Sequence, residues 1–278
     1  MSSDNFNKSV LKALEIIELL DGEGALGITE IAVRLDLDKS SVFRALSTLK
    51  YKNYVRQDPE TLKYSNSYKL FEMGHNVVRE TGLPKMAYRY MRQLSREVDG
   101  AVSLGVRDGF KAVYIDKIES DATVRVSMKI GQSLPLYCTG MGKALVAFLP
   151  DERLEELLAR LRFEKHTPNT HGSPESLKAD LMEVRRRGYS VDDEEHIPGL
   201  FCVAAPIFDA TGGAIAAISV SNVKIMLPDQ EAVERQAGRI MEAAANLTAS
   251  LGGRFPINYQ PDGVSVSAAG GRRVAQRR

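Results

Sequence analysis

Apolar residues recur at three- and four-residue intervals as far as about residue 98, and beyond Ala101 the spacing switches to strict alternation. The first regime predicts helices. Val10, Leu14, Ile17 and Leu20 form a stripe in KSVLKALEIIELL, which Gly22, Gly24 and Gly27 then break. Ile31 and Leu35 share a face one turn apart, Asp36-Leu37-Asp38 forms a turn, and a second face opens with Val42, Leu46 and Leu49. Asp38 is placed to cap that second helix by accepting its first-turn N–H groups. Two β-prone runs around Asp58-Pro59-Glu60-Thr61 predict a hairpin. A helix follows from Tyr68 to Glu80 with Leu70, Met73 and Val77 as its apolar positions, then another from Pro84 to Val98 with Met86, Tyr90 and Leu94 inward.

The second regime predicts a sheet. AVSLGVRD and KAVYIDKIES bracket Asp108-Gly109, a hairpin signal, and 123–130 alternates as a third strand. Helices are expected from Pro150 to Leu161, from Ser173-Pro174 to Gly188, and from Pro228 to Leu251. Two apolar strands, Cys202–Phe208 and Ala214–Asn222, flank Thr211-Gly212-Gly213. The fold class is therefore α+β: an N-terminal winged helix-turn-helix domain over 1–67, a linker helix over 68–82, a C-terminal α+β domain over 83–252 and a disordered tail over 253–278.

Charge sharpens the first domain. The formal net charge is only +1, yet residues 39–69 carry seven basic side chains against two acidic ones. Residues 1–38 carry three basic against eight acidic. The basic excess thus sits on the second helix and the hairpin, where Lys39, Ser40, Ser41, Phe43, Arg44, Arg56 and Lys63 are the candidate contacts to phosphates and base edges. A polar helix N-terminus can also be a solvated cap; the wing-like hairpin and the local charge favour DNA. No run reaches the roughly 18 apolar residues of a membrane span, no signal peptide opens the chain, and Cys138 and Cys202 are the only cysteines. A cytoplasmic, reduced protein is expected.

The segments LPLYCTGMGKALVAFLP (134–150), HTPNT (166–170), RRRGYSVDDEEHIPGLFCVAAPIFD (185–209) and AAISVSN (216–222), with the N-terminal SVLKALEIIELL and the helix-turn-helix, resemble the IclR family of bacterial transcription factors. The resemblance runs from about Asn7 to Leu251. It implies a GAF-like C-terminal domain binding a small organic or aromatic acid, a double-stranded operator of approximately palindromic form, and a homodimer or dimer of dimers. Carried over residue by residue, it makes Gly140 and Met141 donors of helix-terminal amides, with Asp192, Cys202, Ser219 and Ser221 as polar pocket positions and Leu134 and Tyr137 as apolar walls. Helix-terminal amides favour a carboxylate, and serines two apart on a strand project to one face. The chain departs from the family pattern at Phe201, where many members have Arg, and at Met141, which replaces a smaller residue.

Other readings stand beside this one. Cys202, His196 and Asp192 compose a thiol-hydrolase triad on paper, but an apolar strand beside an acidic loop raises rather than lowers a thiol pKa. His166 and His171 flank Pro168 without a clear third ligand, so turn or capping roles are expected and no metal or cofactor is assigned. Lys143 receives no role.

Overall fold

The computed structural model describes residues 6–120, 128–226 and 229–259. The chain divides after Thr81 into two compact units.

The first unit comprises α1 (Lys8–Glu23), α2 (Ile28–Arg34), α3 (Lys39–Tyr51), β1 (Val55–Gln57), β2 (Tyr64–Asn66) and α4 (Tyr68–Glu80). Asp38 caps α3 by accepting the Ser41 N–H at 2.8 Å, and Asp36 turns the chain with φ of +51°. Such side-chain caps contribute about 1 kcal/mol each. The hairpin turn is organised by Asp58, whose carboxylate accepts from the Glu60 and Thr61 N–H groups. Ile16, Leu20, Ile31, Val42, Leu46, Leu49, Val55 and Tyr64 form one core. The stripe read for α1 is therefore rotated: α1 packs on α3 and β2 through Ile16 and Leu20, leaving Val10 and Leu14 exposed. On α4 no residue is buried, and Phe71 and Val77 are among its exposed side chains.

The second unit comprises α5 (Leu83–Leu94), β3 (Ala101–Asp108), β4 (Lys111–Ile118), β5 (Ser133–Pro135), α6 (Gly140–Val146), α7 (Asp151–Arg160), α8 (Pro174–Arg187), β6 (Ser190–Asp193), β7 (Leu200–Phe208), β8 (Ala214–Val223) and α9 (Gln230–Ser250). The strands form one antiparallel sheet in the order β5-β4-β3-β8-β7-β6. α5 and α9 pack on it together, and α6 packs against β3, β4, β6, β7 and β8. Ser173 caps α8 with Pro174 at its first turn, and Gly188 ends it at φ of +83°, the left-handed conformation glycine adopts without a Cβ penalty.

Three expectations change. The inner face of α5 is Leu83, Ala87, Met91 and Leu94 rather than Met86 and Tyr90. The strand read over 123–130 falls largely outside the described residues, and 128–130 is not strand. The tail does not begin at 253: the Arg254 N–H donates to the Asp209 carbonyl at 2.9 Å, and Phe255 stacks on Tyr259 with centroids 4.8 Å apart. Both rings also meet Phe208, so two aromatics anchor a segment that the composition of the tail as a whole hides. Residues 260–278 lie outside the described residues.

Candidate functional site

Strand register builds the site in the second unit. Asp192 pairs with Cys202 and Cys202 with Ser221, while Ala204 pairs with Ser219 and Ser219 with Ser103. Directly paired residues share a sheet face, so Asp192, Cys202, Ser219 and Ser221 occupy one face. Gly105 pairs with Ala217 and Tyr114, and Ala112 with Leu134, which places Tyr114 and Leu134 on that face too. α6 covers it. A Cβ on Gly140 would lie 3.2 Å from the Cys202 sulfur, and a Cβ on Gly105 would collide with the Met141 thioether. Glycine at both positions lets α6 approach the sheet, and Met141 fills the space above Gly105. Thr139 caps α6 through the Gly142 N–H at 3.1 Å. The Gly140 and Met141 amides, in its first turn, have no helical acceptor.

All eight sequence-predicted effector residues are buried. Seven fit the face just described. Tyr137 differs: its hydroxyl bonds the Glu164 backbone at 2.9 Å and lies 3.2 Å from His166 Nε2, so its polar end serves the 164–166 loop. Ser219 Oγ is buried and makes no hydrogen bond of ordinary geometry, although, like Ser221, it lies close enough to the Cys202 thiol to oppose the rise of its pKa.

The electrostatics follow from burial. The Asp192 carboxyl is pushed up to about 7 by burial and by the neighbouring Glu195 charge, against the Glu195 N–H it accepts at 2.8 Å. Burial and then Asp192 push the Cys202 thiol up to about 12, which keeps it protonated near neutral pH. His196 faces Cys138, with Nδ1 3.7 Å from Sγ. The imagined Cys202–His196–Asp192 arrangement thus has no support in this geometry.

Sequence reasoning missed Tyr114, whose phenol is raised by burial and then by Cys202, Asp192 and Cys138; a tyrosine at the parity of Ala112 on β4 was the available signal. It also missed Lys143. This ammonium is fully buried, ion-paired to Glu195 and 2.7 Å from Asp180. Asp180 stays below the usual carboxylate range because hydrogen bonds and charges from His171 and Lys143 outweigh its burial. Burial raises Glu195, with Lys143 opposing.

In the first unit, Lys39, Phe43 and Arg44 stand exposed on α3, Phe43 by 55 %. The Ser40 hydroxyl donates to Asp38 at 2.7 Å, and the Ser41 hydroxyl accepts from Lys12 at 3.3 Å. Both serines therefore hold the recognition helix in place. Arg56 Nε donates to Ser65 at 3.1 Å, and Lys63 pairs with Glu30 at 3.3 Å.

A winged helix-turn-helix unit joined to an α+β unit is the architecture of a two-domain DNA-binding regulator. The IclR helix-turn-helix domain model matches residues 9–59, and the model for the C-terminal region of the bacterial transcriptional regulator IclR matches residues 75–249. The chain belongs to the IclR family of DNA-binding transcriptional regulators. It is 38% identical over 244 residues to the HTH-type transcriptional regulator KdgR of Dickeya chrysanthemi, covering 88% of this chain and 80% of that one. The crystal structure of the Thermotoga maritima IclR superimposes with a TM-score of 0.74 at 32% identity, covering 88% of this chain and 98% of that one. An IclR homologue from Microbacterium hydrocarbonoxydans, solved with 4-hydroxybenzoate, shares the fold with a TM-score of 0.74 at 21% identity, covering 88% and 99%. No helix among the described residues is long and apolar enough to cross a membrane.

Proposed function

We propose that the chain is a homodimeric or tetrameric operator-binding switch, acting in the cytoplasm and not an enzyme, whose input is a small organic or aromatic acid. The observation that carries this is the buried polar row of Asp192, Cys202, Ser219 and Ser221 beneath α6, in which Ser219 Oγ makes no hydrogen bond of ordinary geometry. A ligand carboxylate accepts from neutral donors of this kind, Ser219 and Ser221 hydroxyls and the Gly140 and Met141 amides, without any nucleophile. The homologue solved with 4-hydroxybenzoate supports an acid of that class. Leu134, Tyr114 and Met141 supply apolar surface, and Met141 must swing aside to admit a ring; its thioether has the rotatable bonds for that.

On the output side, Lys39, Phe43 and Arg44 enter the major groove while Arg56 and Lys63 of the hairpin engage phosphates, with Ser40 and Ser41 at the helix N-terminus. Exposed apolar side chains on α1 and α4 support pairing of two copies through the N-terminal region, with residues 68–82 as the linker. Two recognition helices then address half-sites about one turn, roughly 34 Å, or a multiple apart. The acid shifts operator affinity only by its differential affinity for the two arrangements, about 1–3 kcal/mol.

A thermal-shift screen of small aliphatic and aromatic acids tests the input. A bound acid raises the melting temperature by mass action, and Ser219→Ala combined with Ser221→Ala abolishes that rise. An unchanged rise in the double variant removes this face as the effector site.

A further inference from the structure

Three side chains that the effector reading leaves unused meet at the rim of the second unit's site. Cys138 lies between β5 and α6, His166 between α7 and α8, and His196 between β6 and β7. The rings of His166 and His196 meet edge-on with centroids 4.7 Å apart, and Cys138 Sγ is 3.7 Å from His196 Nδ1. One ligand-type atom from each residue lies within 4.8 Å of the other two. Zinc bonds of about 2.3 Å to sulfur and about 2.0–2.1 Å to nitrogen, at tetrahedral angles, hold such atoms about 3.3–3.6 Å apart. Shifts of well under a side-chain rotation close the difference. The surroundings fit as well. Cys138 is fully buried, His196 half-buried and His166 exposed, which gives the site an entry path. The Tyr137 hydroxyl, fixed by the Glu164 backbone, orients the His166 ring at 3.2 Å, the outer-shell arrangement that metal-ligating histidines use.

We propose that Cys138, His166 and His196 bind a divalent metal ion of borderline softness, Zn²⁺ foremost, with the fourth tetrahedral position open to water or to an oxygen ligand. One thiolate and two imidazoles select such an ion over the hard, oxygen-seeking Mg²⁺ and Ca²⁺. Binding forms the metal–sulfur bond, releases the Cys138 proton to solvent and changes no oxidation state. The expectation from sequence of no metal rested on His166 and His171. His171 belongs instead to a second cluster, with Asp180 and Glu195, where the buried Lys143 ammonium already supplies the cation.

The test uses the full-length chain, stripped with chelator and titrated with Co²⁺ and then Zn²⁺. One Co²⁺ per chain is expected, with a near-ultraviolet thiolate-to-cobalt charge-transfer band and the visible bands of tetrahedral cobalt, all displaced by Zn²⁺. Cys138→Ser eliminates the charge-transfer band. His166→Ala, at an exposed loop position that leaves the fold intact, weakens binding by more than the roughly 10–100-fold that outer-shell partners contribute, and His171→Ala changes neither. Absence of the band, its survival in Cys138→Ser, or full Co²⁺ affinity in His166→Ala would overturn the proposal.

Discussion

Replacing Asp192 by asparagine isolates the electrostatic character of the covered polar face. In the folded chain its carboxyl titrates at about 7, against 3.8 for an ordinary aspartate, chiefly because it is buried. Between those values the folded state holds a proton that the unfolded state has released. Stability therefore falls as pH rises from about 4 to about 7 and levels off above. At about 1.36 kcal/mol per pH unit the full penalty is about 4 kcal/mol, and most of it, on the order of 3 kcal/mol, falls between pH 5 and pH 8. Asparagine removes the titration while its amide oxygen still accepts the Glu195 N–H that Asp192 holds at 2.8 Å. It also relieves the repulsion between Asp192 and Glu195.

The assay is calorimetric melting of the full chain at several pH values, following the transition that responds to the substitution. At about 2–4 °C per kcal/mol for a unit of this size, the melting temperature of Asp192→Asn should gain about 5–10 °C on the parent between pH 5 and pH 8. Superimposable pH profiles would refute the reasoning, because Asp192 would then be ionised throughout. The same titration bears on the proposed input: at the proposed effector site, protonated Asp192 would donate to a bound carboxylate, whereas ionised it would repel one.

Two other perturbations test separate parts of the molecule. Lys143→Met leaves Glu195 and Asp180 without their buried counter-charge and should destabilise the second unit by about 3–5 kcal/mol; in urea unfolding, a loss below about 1 kcal/mol would mean that the carboxylates do not depend on Lys143. Arg44→Ala should weaken binding to an operator fragment selected in vitro by about 1–3 kcal/mol, or about 5- to 150-fold, if Arg44 reads a base. A gel-shift titration at fixed salt that shows parent affinity would take Arg44 out of the reading set.

What could be read from sequence was what is decided locally. Asp38 capping α3, Asp58 organising the hairpin turn, Asp108-Gly109 joining β3 to β4, and the Ser173-Pro174 start and Gly188 end of α8 depend on a few neighbouring residues. The serine pair was legible for the same reason, since alternation along β8 sets its face. The misses required distant partners. Tyr114 shares the parity of Ala112 on β4, but which face of β4 meets the serine row is set by the pairing of Tyr114 with Gly105 on β3 and of Gly105 with Ala217 on β8. Lys143 finds Glu195 across 52 residues, and on a helix of alternating size classes it resembles any surface lysine. α4 shows the opposite limit: its apolar positions were correctly seen as one stripe, yet the described chain leaves that stripe bare. Hydrophobic periodicity states that a face needs covering but not whether the cover lies in the same chain. Bare apolar stripes on α1 and α4 beside the exposed α3 surface are what the proposed pairing of two copies on DNA calls for.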